Sequence, residues 1–403
     1  MPTETIKVTI HHDEDGYSLL SSDGCISVSS SVRQKLNSQL SDFAAWYFLP
    51  VAMRLKKDLH IEGVGTVATN FNARRISEIW ESWLPGHMNA VDVSFSKQIK
   101  RQSPRSTRPL LFFSGGLDAT YTSLKRLERG DRQDILTIQG MDYSLADQQR
   151  FEALITKTAA LSNELSPTRI IVRSDAYVLY DRLGVNLKRH HLSHIFALAG
   201  AGFTMSEEYG DLILAADDRL DAQFLTFPWG TNSATNVLFS DGHTKINSDS
   251  ESVARPDKIT CIAKSPLGKR PLSFCWNRRV QPSNCGVCEK CLRTKLLFLA
   301  VTGHVPEIFE DDYIPKNWNE RLRFREPAGF QAVQEILYTA ASYQNIQRIE
   351  HYAKVKAAVF DHFSRHPSQG PATNARARGT KATIAAGKDS KIGEYLNADE
   401  ANA

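Results

Sequence analysis

Residues 110–120 read Leu-Leu-Phe-Phe-Ser-Gly-Gly-Leu-Asp-Ala-Thr, and this stretch restricts the fold more tightly than any other. Four apolar residues in succession suit a strand buried on both faces, as a parallel strand roofed by helices is. Ser114, Gly115 and Gly116 then form a turn whose missing side chains let backbone N–H groups approach an anion. From Thr120 to Arg129 the spacing of Tyr121, Leu124 and Leu127 predicts a helix with those residues inward. A helix N-terminus facing a glycine turn is an anion site, and Asp118 beside it suits a magnesium ion carried with a phosphate. The same pattern also describes an ordinary β-turn-α connection.

Further along, strand-like and helix-like segments alternate, which is the mark of a parallel sheet covered on both faces. Ile135–Ile138, Ile170–Val172 and Leu212–Ala216 are the expected strands after the first, with a helix from about Ala146 to Leu165 between two of them. We expect five parallel strands over residues 108–260. Ligands of such sheets bind beyond the carboxyl ends of the strands, which puts Ser114, Asp142 and Asp217 on one rim. Lys188–Gly202 predicts a helix rich in small residues that packs closely on the sheet; its histidines, His190, His191 and His194, read as ordinary side chains rather than metal ligands.

The first 96 residues read as a separate α+β module. Ile6, Val8 and Ile10 alternate with polar residues, Ile26–Ser30 follows the turn at Ser21–Gly24, and Val91, Val93 and Phe95 form a closing strand. Phe43–Leu55 predicts a helix that Pro50 should end or kink, and Ile76, Ile79, Trp80 and Trp83 lie at helical spacing before the stop at Pro85-Gly86. Residues 97–108 are basic, lack periodic apolar positions and read as a solvated linker. Val333, Ile336 and Leu337 mark a helical cap over 306–365, and the composition from 366 to 403 predicts disorder.

Cys275, Cys285, Cys288 and Cys291 have the spacing C-x9-C-x2-C-x2-C. The two-residue gaps let thiolates converge on one ion, and Gly286 permits the tight turn this needs. The pattern favours a closed structural zinc site; an iron–sulfur cluster takes the same ligands. Lys290, Arg293 and Lys295 are placed to offset the charge of a zinc tetrathiolate. A net charge of +4 over 403 residues is too small to argue for nucleic acid, and no apolar run is long enough to span a membrane. A cytoplasmic protein is expected.

The 114–120 run resembles the Ser-Gly-Gly-x-Asp-Ser signature of the PP-loop ATP pyrophosphatases, with Ala119 where that family has Ser. Together with the later four-cysteine run, it is similar to the 7-cyano-7-deazaguanine synthases over roughly residues 108–305. Arg189–Ala199, Arg255-Pro-Asp-Lys-Ile259 and Ser273-Phe-Cys-Trp276 are similar to further family segments, whereas Phe227–Ser233 lacks the Asp and Arg of the family's substrate loop. The resemblance implies an α/β fold of the adenine-nucleotide α-hydrolase (HUP) type with a zinc-bound segment over 109–305, an N-terminal α+β module and C-terminal helices. It also implies an ATP-dependent ligase that adenylates a carboxylate and passes it to ammonia or an amine; the alternative is a protein that binds a nucleotide or partner without turnover.

Under this reading ATP lies on Ser114, Gly115, Gly116, Leu117, Asp118, Thr120 and Asp142, with Mg2+ on Asp118 and Zn2+ on the four cysteines. Ser114, Asp118 and Lys258 form the expected catalytic set, with Lys258 or Arg255 neutralising phosphate charge. Trp229 is placed to stack on a planar acceptor, or else to plug an interface, and Asn232 to bond the acceptor's edge. The expected partners are a small-molecule carboxylate or heterocyclic acid and a protein acceptor, with a homodimer allowed for and neither membrane nor nucleic acid.

Overall fold

The computed structural model describes residues 4–37, 39–101, 108–131, 133–165, 168–186, 190–224 and 228–365. The tail expected to be disordered, 366–403, lies outside the described residues, as does half of the basic linker, 102–107. In chain order the strands are β1 (Thr5–His12), β2 (Gly16–Ser21), β3 (Gly24–Ser30), β4 (Asp58–Thr66), β5 (Val93–Ile99), β6 (Pro109–Phe112), β7 (Asp134–Gln139), β8 (Arg169–Ser174), β9 (Asp211–Ala215) and β10 (Lys245–Asp249). The helices are α1 (Asp42–Leu55), α2 (Val67–Trp83), α3 (Leu117–Glu128), α4 (Gln148–Leu165), α5 (Ala176–Arg182), α6 (His190–Phe203), α7 (Leu220–Gln223), α8 (Ser233–Asn236), α9 (Arg255–Lys264), α10 (Pro266–Lys269), α11 (Glu289–Thr302), α12 (Trp318–Arg321), α13 (Pro327–Ser342) and α14 (Tyr352–Arg365).

The ten strands among the described residues join one sheet in the order β10-β9-β6-β7-β8-β3-β2-β1-β4-β5. The five strands from β10 to β8 are parallel, as expected for this part of the chain. Its first strand is buried on both faces. Leu110 and Phe112 enter one hydrophobic core, Leu111 and Phe113 the other, so the period-2 alternation of a strand feeds two cores from one apolar run. The sequence did not locate the fifth strand, β10. It lies at the sheet edge, where Lys245, Asn247 and Asp249 alternate with a single buried Ile246, so no apolar run marks it.

Residues 1–96, read as a separate module, are continuous with the rest. β3 pairs antiparallel with β8 through Val28 and Ser174, Ser29 and Arg173, and Ser30 and Val172. Helix α1 runs through Pro50 to Leu55 rather than ending there, and it is buried along almost its whole length. Packing on every side outweighs the roughly 3 kcal/mol that an interior proline costs. Where α1 meets α6, a Cβ on Gly200 would strike the ring of Tyr47 at 2.5 Å, so the small residues of α6 do serve close packing. At the other end of the chain, Val333, Ile336 and Leu337 of α13 share a core with Leu296 and Leu297 of α11, so the C-terminal helices extend the second core.

Candidate functional site

From β6 the chain moves to β7 and β8 on one side, then crosses back to β9 on the other, which makes the β6/β9 boundary a topological switch point. The glycine turn stands at that boundary. Gly115 has φ +75, and a Cβ there would lie 2.9 Å from Thr158 Cγ2 and 3.3 Å from the Pro271 carbonyl, so the position is closed to other residues. Gly116, the N-cap of α3, faces the open side: a Cβ there would meet only Ser114 Oγ, at 3.2 Å. Ser114 is exposed and accepts from the Gly116 N–H at 3.3 Å. Leu117 packs its side chain into the second core while its amide belongs to the first turn of α3, where N–H groups lack helical partners.

The expected ligands divide from here. Thr120, one helical turn beyond Gly116, is wholly buried, and its hydroxyl has no partner among the described residues. Asp142 is exposed in the loop after β7, beside β6 but without a hydrogen bond to the turn among the described residues. Asp118 is engaged. Its Oδ1 accepts from Lys258 Nζ at 2.8 Å, and its Oδ2 lies 3.5 Å from Arg255 Nη2. Burial alone would push this carboxyl up, but the Lys258 ammonium and then the Arg255 guanidinium outweigh it and hold the group below the usual carboxylate range.

Lys258 and Arg255 are three residues apart on α9 and share a helical face. Lys258 has no exposed side-chain surface, and its ammonium also donates to the Ala216 carbonyl at 2.6 Å. Arg255 donates to the Asp217 carbonyl at 2.7 Å and lies 3.6 Å from Asp218. Burial would lower its pKa, yet Asp118 and Asp218 raise it, so it stays a cation. The chain of charge continues outward. Arg293, on α11, lies 3.9 Å from Asp218 and 3.0 Å from Glu335 of α13. Arg293 therefore serves this rim and not the cysteines, contrary to expectation, because its position on α11 turns it toward β9.

Beyond β9, Trp229 Nε1 donates to Asp217 Oδ2 at 2.8 Å, and Thr231 Oγ1 donates to the same oxygen at 2.9 Å. His194 Nε2 meets Thr231 Oγ1 at 3.1 Å, and its ring stands edge-on to Trp229. Asn232 does not offer its amide to a ligand. Its Oδ1 caps α8 by accepting from Ala234 and Thr235, and its Nδ2 donates to the Trp229 carbonyl. The sequence signalled Asp217 through its place at a strand end, but gave nothing that tied it to Thr231 or His194, which lie on separate elements.

The four cysteines converge. Their Sγ atoms lie within 4.8 Å of one another, with Cys275–Cys288 at 3.9 Å and Cys285–Cys291 at 4.0 Å. Zinc–thiolate bonds of about 2.3 Å give tetrahedral S···S edges of about 3.8 Å, so the donor set fits such an ion. Backbone N–H groups of Asn277 and Cys285 reach Cys275 Sγ at 3.3 and 3.4 Å, as thiolates require. Gly286 has φ +78 and packs against the Asp311 carbonyl, which leaves no room for a side chain in this turn. Lys295 is the buried cation beside the loop, donating to the Tyr313 carbonyl at 3.1 Å, while Lys290 is exposed.

The cluster and the turn are physically linked. Ser273, two residues before Cys275, donates its N–H to the Gly115 carbonyl at 2.8 Å and meets Tyr143 Oη at 3.0 Å. Asn284 accepts from the Phe274 N–H at 3.0 Å and donates to the Leu272 carbonyl at 3.0 Å, bracing the same segment. Fold and site together define an α/β protein with a glycine turn at a sheet switch point, backed by a four-cysteine cluster that can hold a metal ion such as zinc. No protein family, curated protein or solved structure matches this chain. Among the described residues, no helix is long and apolar enough to cross a membrane.

Proposed function

We propose that this chain is a cytoplasmic ATP-dependent ligase that adenylates a carboxylate and transfers the acyl group to ammonia or an amine. The observation that carries the reading is the glycine turn opening onto α3 with two cations, Lys258 and Arg255, facing it from α9. The Leu117 backbone amide, in the first turn of α3, supplies a donor for phosphate oxygens, and the cations offset charge that grows on the leaving group. In the reaction, a carboxylate oxygen attacks the α phosphorus and pyrophosphate leaves. The amine nitrogen then attacks the acyl carbon, AMP departs, and the nitrogen loses a proton. Magnesium would accompany the phosphates; on Asp118 it would compete with the Lys258 ammonium. The cysteines hold zinc in a structural role.

A second reading, nucleotide binding without turnover, draws support from Asp118 being occupied by Lys258 and from the burial of the Thr120 hydroxyl. Pyrophosphate release separates the two. Purified protein with ATP, magnesium, ammonium and a panel of acids, 7-carboxy-7-deazaguanine among them, should release pyrophosphate with one acid and lose that activity in Arg255→Gln. ATP binding without release for any acid favours the second reading, and no ATP binding refutes both.

A further inference from the structure

Between the glycine turn and β9, carboxylates and cations interleave, and one carboxylate, Asp217, has no cation in direct contact. Asp118 pairs with Lys258 and Arg255, Asp218 with Arg255 and Arg293, and Glu335 with Arg293. Asp217 has no basic side chain within 4.0 Å among the described residues. Neutral donors hold it instead: Trp229 Nε1 and Thr231 Oγ1 both donate to Oδ2. Because the Thr231 hydroxyl spends its one proton on Asp217, it must accept from His194 Nε2, and this orders His194, Thr231 and Trp229 around one carboxylate oxygen. The other oxygen, Oδ1, has no hydrogen-bond partner among the described residues, and the side chain is only half-buried. Arg255 joins this group to the turn, touching both the Asp217 carbonyl and the Asp118 carboxylate.

We propose that Asp217 Oδ1 is the binding point for a primary ammonium group, the amine acceptor of the reaction. The proposal rests on the ligase reading of the neighbouring turn and adds to it the place where the acceptor sits. A half-buried carboxylate fixed through one oxygen and open at the other suits a cation, and a primary ammonium brings N–H donors to the open oxygen. Two sources share this chemistry, ammonium itself and an alkylamine. The Trp229 indole N–H reports on the site directly because it bonds to the same carboxylate.

The test follows the indole N–H resonances of full-length protein, six tryptophans in all, with Trp229 assigned through Trp229→Phe. Methylammonium chloride should move the Trp229 signal saturably, tetramethylammonium chloride at equal concentration should not, and Asp217→Asn should abolish the movement while the other five indole signals stay in place. A response to ammonium chloride but not to methylammonium assigns ammonia as the acceptor. No movement with either methylammonium or ammonium, an equal response to tetramethylammonium, or a response that survives in Asp217→Asn overturns the proposal. Binding is read here without turnover, so absence of acid-dependent pyrophosphate release would count against the ligase reading alone. If release is found, Asp217→Asn should raise the KM for the amine about tenfold and leave the KM for ATP within about twofold.

Discussion

Lys258 Nζ sits 2.8 Å from Asp118 Oδ1 and 2.6 Å from the Ala216 carbonyl, so one buried ammonium ties the start of α3 to the end of β9. These elements flank the switch point of the sheet. Lys258→Met keeps the stem of the side chain and deletes its charge, leaving Asp118 with Arg255 alone. Because Asp118 is partly exposed, we expect a loss of about 2–3 kcal/mol, below the upper range for breaking a buried pair. Urea unfolding measures it, and adding Asp118→Asn to Lys258→Met should recover part of the loss. A double variant less stable than Lys258→Met would count against the pair.

Gly115 and Gly116 should respond differently to alanine. At Gly115 the positive φ and the 2.9 Å approach to Thr158 Cγ2 predict a stability loss of about 1–3 kcal/mol. At Gly116 the added methyl meets only Ser114 Oγ, so stability should change by less than about 1 kcal/mol while ATP affinity falls about tenfold or more. Calorimetric titration with ATP beside thermal melts checks both. Unchanged ATP affinity in Gly116→Ala would move the nucleotide away from this turn.

Removal of metal should reach the turn as well as the cysteines, since Ser273 couples Cys275 to Gly115 through its backbone. Metal analysis should find about one zinc per chain. Chelation or Cys288→Ser should lower the melting temperature and weaken ATP binding together. An iron content with visible absorbance, or ATP affinity indifferent to chelation, would contradict this.

Asp42, wholly buried at the start of α1, accepts the N–H and the hydroxyl of Thr66 on one oxygen. Burial, and then Asp241, push its carboxyl up to about 6 from an unfolded value of 3.8. The unfolded chain thus ionises first, so this group's contribution to stability is full below the unfolded value and is lost as pH rises through about 6. Between pH 5 and 8 the loss comes to about 1.5 kcal/mol. Asp42→Asn should remove it, and urea unfolding of both proteins at the two pH values will show whether their difference in stability changes.

What the sequence determined by itself was local. The apolar run 110–113 requires a strand buried on both faces, Ser-Gly-Gly requires a turn of missing side chains, and C-x9-C-x2-C-x2-C requires a convergence of thiols, because each signal lies within a few bonds of its consequence. Pairings across the chain were decided by the tertiary structure alone. Whether Asp118 faces solvent or Lys258, 140 residues away in sequence, depends on where α9 lies beside the end of β9. Thr120 was read as a ligand because it stands near the glycines, and only the fold shows that its hydroxyl is buried and unpartnered among the described residues; Asn232 was read as an acceptor contact, yet it caps its own helix. The first 96 residues lost their independence for a similar reason. A strand's pattern records which of its faces is buried, but not which strand lies beside it, and the pairing of β3 with β8 is settled only when both edges are present.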